Sequence, residues 1–317
     1  MPVLAVVWPS CSSSSGSDGP ESSAPKDIIH STYVELSNKQ LTVRQALNRG
    51  GAICYIAKAG TSTNIVNVAD EGRYIQQSYY AGRRIDRRSQ GQGSAWSPWN
   101  WNPIQVGDYK RNRAQKLEAT RQGNTTYVKV VPMLWDMDNS PAEAEMEQWT
   151  TLDGNTIHVR CRISCHRTDD IYGEGVMCDQ EIPAVYPISS LYNLYTYNGD
   201  APFTGDDIST VKVQELTMNA SGGGGTWGRY ADITEQWMAF VDGSGWGIGV
   251  YSPTATSFLA GRSDSFINGK SDSGSTSYIA PLRREALMKN SVMEYEYYLV
   301  IDHIDHIRSR IYELKGV

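Results

Sequence analysis

From residue 28 onward the chain reads as short apolar or alternating runs separated by Gly, Asn, Asp and Pro. Residues 156–164 alternate strictly. Ile157, Val159, Cys161 and Ile163 share one face, and His158, Arg160 and Arg162 share the other, which predicts a half-buried strand. Residues 28–41 alternate in part, 52–57 form an apolar run closed by Gly60, and 127–135 are rich in β-formers. Residues 238–241 and 246–251 flank Asp242-Gly243-Ser244-Gly245, a hairpin signature. Residues 295–301 read as a late strand that 307–314 extend. Helical signals are few. Pro141 and the acids after it predict a helix over 142–149, and 42–46 predict one further turn. No repeat of fixed period is present, which argues against propellers and solenoids. The pattern predicts an all-β fold, a large two-sheet β-sandwich of supersandwich or jelly-roll type with very little helix.

The ends and punctuation refine this picture. Residues 12–27 are Ser-, Gly-, Pro- and Asp-rich, so residues 1–27 are expected to be a disordered tether and 28–317 a single sandwich domain. The apolar run 2–8 followed by Cys11 resembles the end of a bacterial lipoprotein signal. That resemblance implies a lipid anchor at Cys11 on the outer membrane and a secreted or cell-envelope protein. Residues 221–225, Ser-Gly-Gly-Gly-Gly, read as a flexible loop; without a following Lys-Ser/Thr they are no phosphate cradle. Cys165 and Cys178 are a candidate disulfide, and no Cys spacing fits a zinc site.

Composition shifts the argument toward function. The 19 Tyr and 9 Trp against 4 Phe favour rings with a polar handle, which suit half-exposed walls and the C–H faces of sugars. A formal net charge of -6 gives no general pull toward nucleic acid. Locally the balance reverses: Arg73, Arg83, Arg84, Arg87, Arg88, Lys110, Arg111 and Arg113 gather near a Trp-rich loop, so an anionic polysaccharide is a reasonable partner.

Four segments carry candidate chemistry. In 64–88 a strand from Arg73 would place Arg73, Ile75, Gln77 and Tyr79 on one face and Tyr74, Gln76, Ser78 and Tyr80 on the other. Neither face is plainly apolar, so one is expected to line a wet cleft beside Asp70 and Glu71. Trp96, Trp99 and Trp101 sit in a Pro-containing stretch and are expected to supply a stacking platform. Glu181 opens the apolar run 182–186, where burial would raise its pKa and suit it as a general acid, with His166 on the same rim. Glu235 precedes the apolar run 238–241. No cofactor is expected. Asp136-Met137-Asp138-Asn139 offers a structural calcium at most, and His303 and His306 would fall on opposite faces of a strand.

Gly50-Gly51-Ala52-Ile53, followed by Asn64-Ile65-Val66 and Asp70, resembles the start of the galactose-mutarotase-like supersandwich, within a layout similar to secreted carbohydrate-active sandwich proteins of bacteria. The leading expectation is a glycoside hydrolase acting on an oligo- or polysaccharide, with Glu181 as acid and Asp70 or Glu71 as partner. Arg73, Gln77 and Tyr80 would hold the sugar, Trp99 or Trp101 would stack on it, and His166 and Glu235 would contribute further contacts. The alternatives are a polysaccharide lyase with Tyr80 or His166 as base and Arg73 and Gln77 as uronate neutralisers, a non-catalytic glycan-binding protein, and a sugar epimerase.

Overall fold

The computed structural model describes residues 27–210, 226–263 and 266–317. Residues 1–26 of the proposed tether, the Cys11 anchor and the Gly-rich loop 221–225 lie outside them, whereas Asp27, the last residue assigned to the tether, pairs with Arg121 in an edge strand. The described chain is a sandwich of two large antiparallel sheets. The first has ten strands, and its centre is the long antiparallel set Ala144–Asp153, Thr156–Cys165 and Ser291–His303. The second runs Thr226–Tyr230, Ser257–Arg262, Ser277–Glu285, Cys178–Val185, Ile75–Ser78, Ala52–Lys58, Leu41–Ala46 and Tyr33–Ser37, with two short strands attached off this path.

Alternation places the core between the sheets. Ile157, Val159, Cys161 and Ile163 of the first sheet meet Leu41, Val43, Ile53, Ile56, Ile75 and Ile279 of the second in one continuous cluster. A polar seam crosses the same layer. Gln45 donates to Thr150 Oγ1 at 3.1 Å, Gln105 to Gln148 Oε1 at 2.8 Å and Gln77 to the Glu147 carbonyl at 3.1 Å. Satisfied amides of this kind tie the two sheets in one register without leaving orphaned polar atoms.

Three local expectations are corrected. Residues 142–149 are not helical; Ala144–Asp153 is a strand whose Ala144, Met146, Gln148, Thr150 and Leu152 are buried in strict alternation. The turn at 42–46 belongs to the strand Leu41–Ala46. Conversely, 307–314 do not extend the last strand. Ile304–Lys315 is an α-helix, ended by Gly316 at φ 83°, that packs Ile307 and Ile311 onto the outer face of the first sheet beside Trp237, Val241 and Val300.

The candidate disulfide does not form: Cys165 and Cys178 are free thiols, the first buried and the second half-buried with its Sγ 3.6 Å from the Gly82 carbonyl. The calcium reading is also corrected. Asp136 is buried against Gln92 Nε2 at 2.6 Å, while Asp138 accepts from Asn112. Among the described residues no three His, Cys, Asp or Glu side chains are grouped to hold an ion. Gly50 has φ 66°, and a Cβ there would lie 2.1 Å from the Gln105 carbonyl oxygen, so only glycine fits.

Candidate active site

The outer face of the second sheet carries a cavity of about 740 Å³. Its floor is Glu181. The strand bearing it pairs Glu181 with Ser78 on one side and Leu282 on the other, and the register shifts on both sides immediately after Glu181. Such bulges re-aim side chains and recur beside active sites.

Tyr278 Oη donates to Glu181 Oε1 at 2.7 Å, and Tyr80 and Ser78 also face this carboxyl. Burial nonetheless dominates and pushes the Glu181 pKa above the ordinary carboxylate value, against the lowering effect of those donors. Tyr80, Tyr186 and Tyr278 are all pushed upward as phenols, first by burial and then by the Glu181 charge. The arrangement is one acid that leans toward its protonated form, ringed by neutral phenol donors.

Neighbouring amides hold this group in place. Gln180, buried next to Glu181, clasps the Tyr80 backbone from both sides: its Oε1 accepts from Tyr80 N at 2.9 Å and its Nε2 donates to Tyr80 O at 2.7 Å. Asn102 donates to Tyr79 O at 2.7 Å and accepts from Trp99 Nε1 at 3.1 Å, linking the phenol segment to the indole wall.

That wall is a chain of edge-to-face rings. Trp135 meets Trp96 at 5.2 Å, Trp96 meets Trp99 at 5.4 Å, and Trp99 meets Tyr80 at 6.4 Å between centroids. Arg84 lies 4.8 Å over the Trp99 ring. Gly72 makes room for the far end, because a Cβ there would stand 2.9 Å from Trp135 Cη2.

The opposite rim is charged. Arg73 Nε lies 3.0 Å from Asp70 Oδ2, and Arg73 also donates to the carbonyls of Ser273 and Gly274. Glu71 is buried and committed to two guanidiniums, Arg49 in direct contact and Arg111 at 3.6 Å. Asp70 is therefore the more accessible of the two rim carboxylates, with its side chain 44% exposed.

Of the ten residues singled out from the sequence, Glu181, Asp70, Glu71, Arg73, Tyr80 and Trp99 line this one cavity. The other four do not. Gln77 points between the sheets, accepting from Tyr79 Oη at 2.8 Å. Trp101 is buried in the core with Arg167 5.6 Å over its ring. His166 is exposed away from the cavity. Glu235 is fully buried beneath the C-terminal helix, where Arg308 Nη2, Tyr312 Oη and Trp237 Nε1 converge on it at 2.9, 2.6 and 2.7 Å.

Arg73 and Tyr80 face the same cavity although simple alternation separates them. Tyr74 adopts φ 72°, which breaks the strand so that alternation restarts at Ile75. The cavity also uses residues the sequence did not single out: Tyr109, Trp135, Tyr186 and Tyr278. Among the described residues no histidine lines it; His158, for instance, pairs with Glu296 at 2.8 Å on the other sheet.

Fold and site together define a two-sheet antiparallel sandwich with an aromatic-walled, carboxylate-bearing cavity on one face. No protein-family model and no curated protein matches the chain. Among solved structures it is similar to a protein from Escherichia coli K12 provisionally assigned as an aldose 1-epimerase, at 14% identity and TM-score 0.52 over 86% of this chain and 99% of that one. A protein from Synechocystis sp. PCC 6803 is similar at 10% identity and TM-score 0.51, over 87% and 97%. A galactose mutarotase related enzyme from Lactobacillus acidophilus is similar at 9% identity and TM-score 0.50, over 85% and 97%. At these identities the shared property is the fold.

Proposed function

We propose that the protein binds a saccharide in this cavity and cleaves a glycosidic bond there, with Glu181 as proton donor and Asp70 as the second carboxylate. The observation that carries the reading is the half-buried Glu181 carboxyl, raised toward its protonated form among three phenols and set beside a wall of indoles. Indole faces stack on sugar C–H faces, phenols and amides bond hydroxyls, and a carboxyl with a raised pKa holds a proton to deliver. In the reaction Glu181 gives its proton to the bridging oxygen as the C–O bond breaks. Water adds its hydroxyl to the anomeric carbon and returns its proton to the carboxylate pair. Glu71 is assigned to holding Arg49 and Arg111 rather than to the chemistry, because it is buried between them while Asp70 stays accessible.

A second reading is 1-epimerisation of a free aldose. It is favoured by the descriptions of two of the similar folds and by the pairing of a carboxyl with a phenol donor at one point, Glu181 with Tyr278. A lyase is less well supported. It needs an anionic base, whereas the phenols here are held neutral by burial and by the charge beside them. An extracytoplasmic location belongs to the same proposal and rests on the Cys11-and-tether pattern.

One panel separates these readings. Neutral, uronic and sulfated polysaccharides are assayed for new reducing ends and for ultraviolet absorbance, and α-anomers of free aldoses are followed by polarimetry. Wild type and Glu181→Gln are compared throughout. Reducing ends that vanish in the variant support the hydrolase. Absorbance alone points to the lyase, altered anomer relaxation to the epimerase, and binding without any turnover to a glycan-binding protein.

A further inference from the structure

Glu181 borders a second cavity as well. Across it from the large cavity lies a smaller one of about 300 Å³, to which Asn100, Cys178, Asp179, Arg229 and Leu282 contribute. Tyr80, Glu181 and Leu259 line both. Strand geometry explains the adjacency. Asp179 and Glu181 are two residues apart on one strand, Leu282 pairs with Glu181, and Arg229 pairs with Leu259 two strands away. The two cavities adjoin on the outer face of the sheet, and a ligand that spans both would form its contacts along one trough with Glu181 at the waist. The smaller volume is at the lower end for small-ligand pockets, about 300–1,000 Å³.

One end of the small cavity carries an arginine–carboxylate cluster. Asp179 is shared by two guanidiniums: Arg229, in direct contact, and Arg284, whose Nη1 stands 3.5 Å away. Arg229 Nη2 also reaches Ser257 Oγ at 3.2 Å. Arg284 is not part of the cavity lining and stands against Asp179 from beside it, so that Asp179 does not by itself cancel both guanidiniums. The side chains are 47% and 58% exposed, so donors of both forks remain open to solvent. A planar fork of this kind matches a carboxylate or a sulfate.

We infer that the small cavity is a second saccharide subsite that takes a unit bearing a carboxylate or sulfate, so that the substrate is an acidic oligosaccharide lying across Glu181 with the reacting bond at the waist. The inference rests on the reading of Glu181 as proton donor. It assigns Arg229 the recognition of the acidic group and Leu282 the floor beneath that unit. A free monosaccharide occupies one side only; an oligomer gains the contacts of both.

Calorimetry on the Glu181→Gln protein tests this, because turnover is removed while the shape of the trough is kept. The probes are size-graded oligomers of pectate and of chondroitin sulfate, from the monosaccharide upward, with cello-oligosaccharides as the neutral control. Affinity is expected to rise about tenfold or more between the monosaccharide and the shortest oligomer that spans both cavities, in an acidic series only. Arg229→Gln should cancel that rise and leave monosaccharide affinity unchanged. Leu282→Trp, which fills the small cavity from its floor, should do the same, so one misfolded variant does not decide the result. Affinity independent of length, a rise insensitive to both variants, or no binding by any acidic oligomer overturns the subsite. The reading beneath it fails separately. If Glu181→Gln loses activity while binding ignores length, the acid stands and the subsite falls; if Glu181→Gln keeps its rate, the acid falls whatever the oligomers do.

Discussion

The Tyr278 hydroxyl donates to Glu181 Oε1 at 2.7 Å from the strand next to the one that carries Glu181. The bond favours the charged carboxylate, yet burial outweighs it and the carboxyl stays raised. The site therefore stores an unfavourable ionisation in the folded state.

The folded pKa of Glu181 lies above the unfolded value, so well below pH 4.5 the group is neutral in both states and costs nothing. As pH rises toward the folded value, ionisation in the fold costs stability relative to the unfolded chain. Glu181→Gln should thus melt higher than wild type at neutral pH, with the difference vanishing under acid. In the same protein, turnover should fall by about 10²–10⁴-fold, the usual contribution of a general acid. Thermal melts across pH and an initial-rate assay check the two halves. A variant that melts lower at neutral pH would show Glu181 to be structural.

The two indoles of the strand Trp99–Trp101 should behave differently. Trp99 is half-buried on the cavity wall, and Trp99→Ala should weaken saccharide binding by about 1–2 kcal/mol with little change in melting. Trp101 is 2% exposed in the core, and Trp101→Ala should cost about 3–5 kcal/mol of stability. Calorimetric titration beside denaturant unfolding separates them. Equal binding defects in two equally stable variants would contradict the placement.

Glu235 anchors the C-terminal helix. Burial pushes its pKa up, but the bonds from Arg308, Tyr312, Trp237 and the Phe203 amide together outweigh burial and hold it below the ordinary glutamate value. Its stabilisation is present above about pH 4.5 and is lost as pH falls through the depressed folded value. Glu235→Gln should destabilise by several kcal/mol at neutral pH, in the range of about 3–5 kcal/mol for breaking a buried pair. The gap to wild type should narrow in acid. Melting curves at neutral and acid pH decide it, and a constant gap would argue against an ionic role.

How far these features could be read from the sequence differs from element to element. Thr156–Cys165 was legible because one of its faces is apolar at every position. Ala144–Asp153 was not, because Gln148 and Thr150 occupy inward positions to feed the polar seam, and the alternation is hidden behind Pro141 and its acids. The helix Ile304–Lys315 carries Ile304, Ile307 and Ile311 at helical spacing, but β-rich Ser291–His303 runs directly into it. The floor and rim of the site were legible as acids and arginines flanking apolar runs. Tyr278 and Trp135 were not, since each reaches the cavity from a segment distant in sequence from the acids and arginines that mark it. Trp101 shows the reverse error: indoles two positions apart share a motif but not an environment.

Gly72 stands where a single added methyl would press on Trp135, so the width of the aromatic end of the cavity is set by one hydrogen atom. That makes position 72 a dial for substrate shape rather than for stability. Gly72→Ala should push the Trp135 indole inward and Gly72→Ser further, lowering affinity for branched or substituted units before unbranched ones. Titration of both variants with linear and branched oligosaccharides would show graded losses, and unchanged selectivity would argue against the dial. Sequences that share this sandwich but differ at this position are then expected to differ first in the bulk of the sugar they accept, with the acid at the waist left as it is.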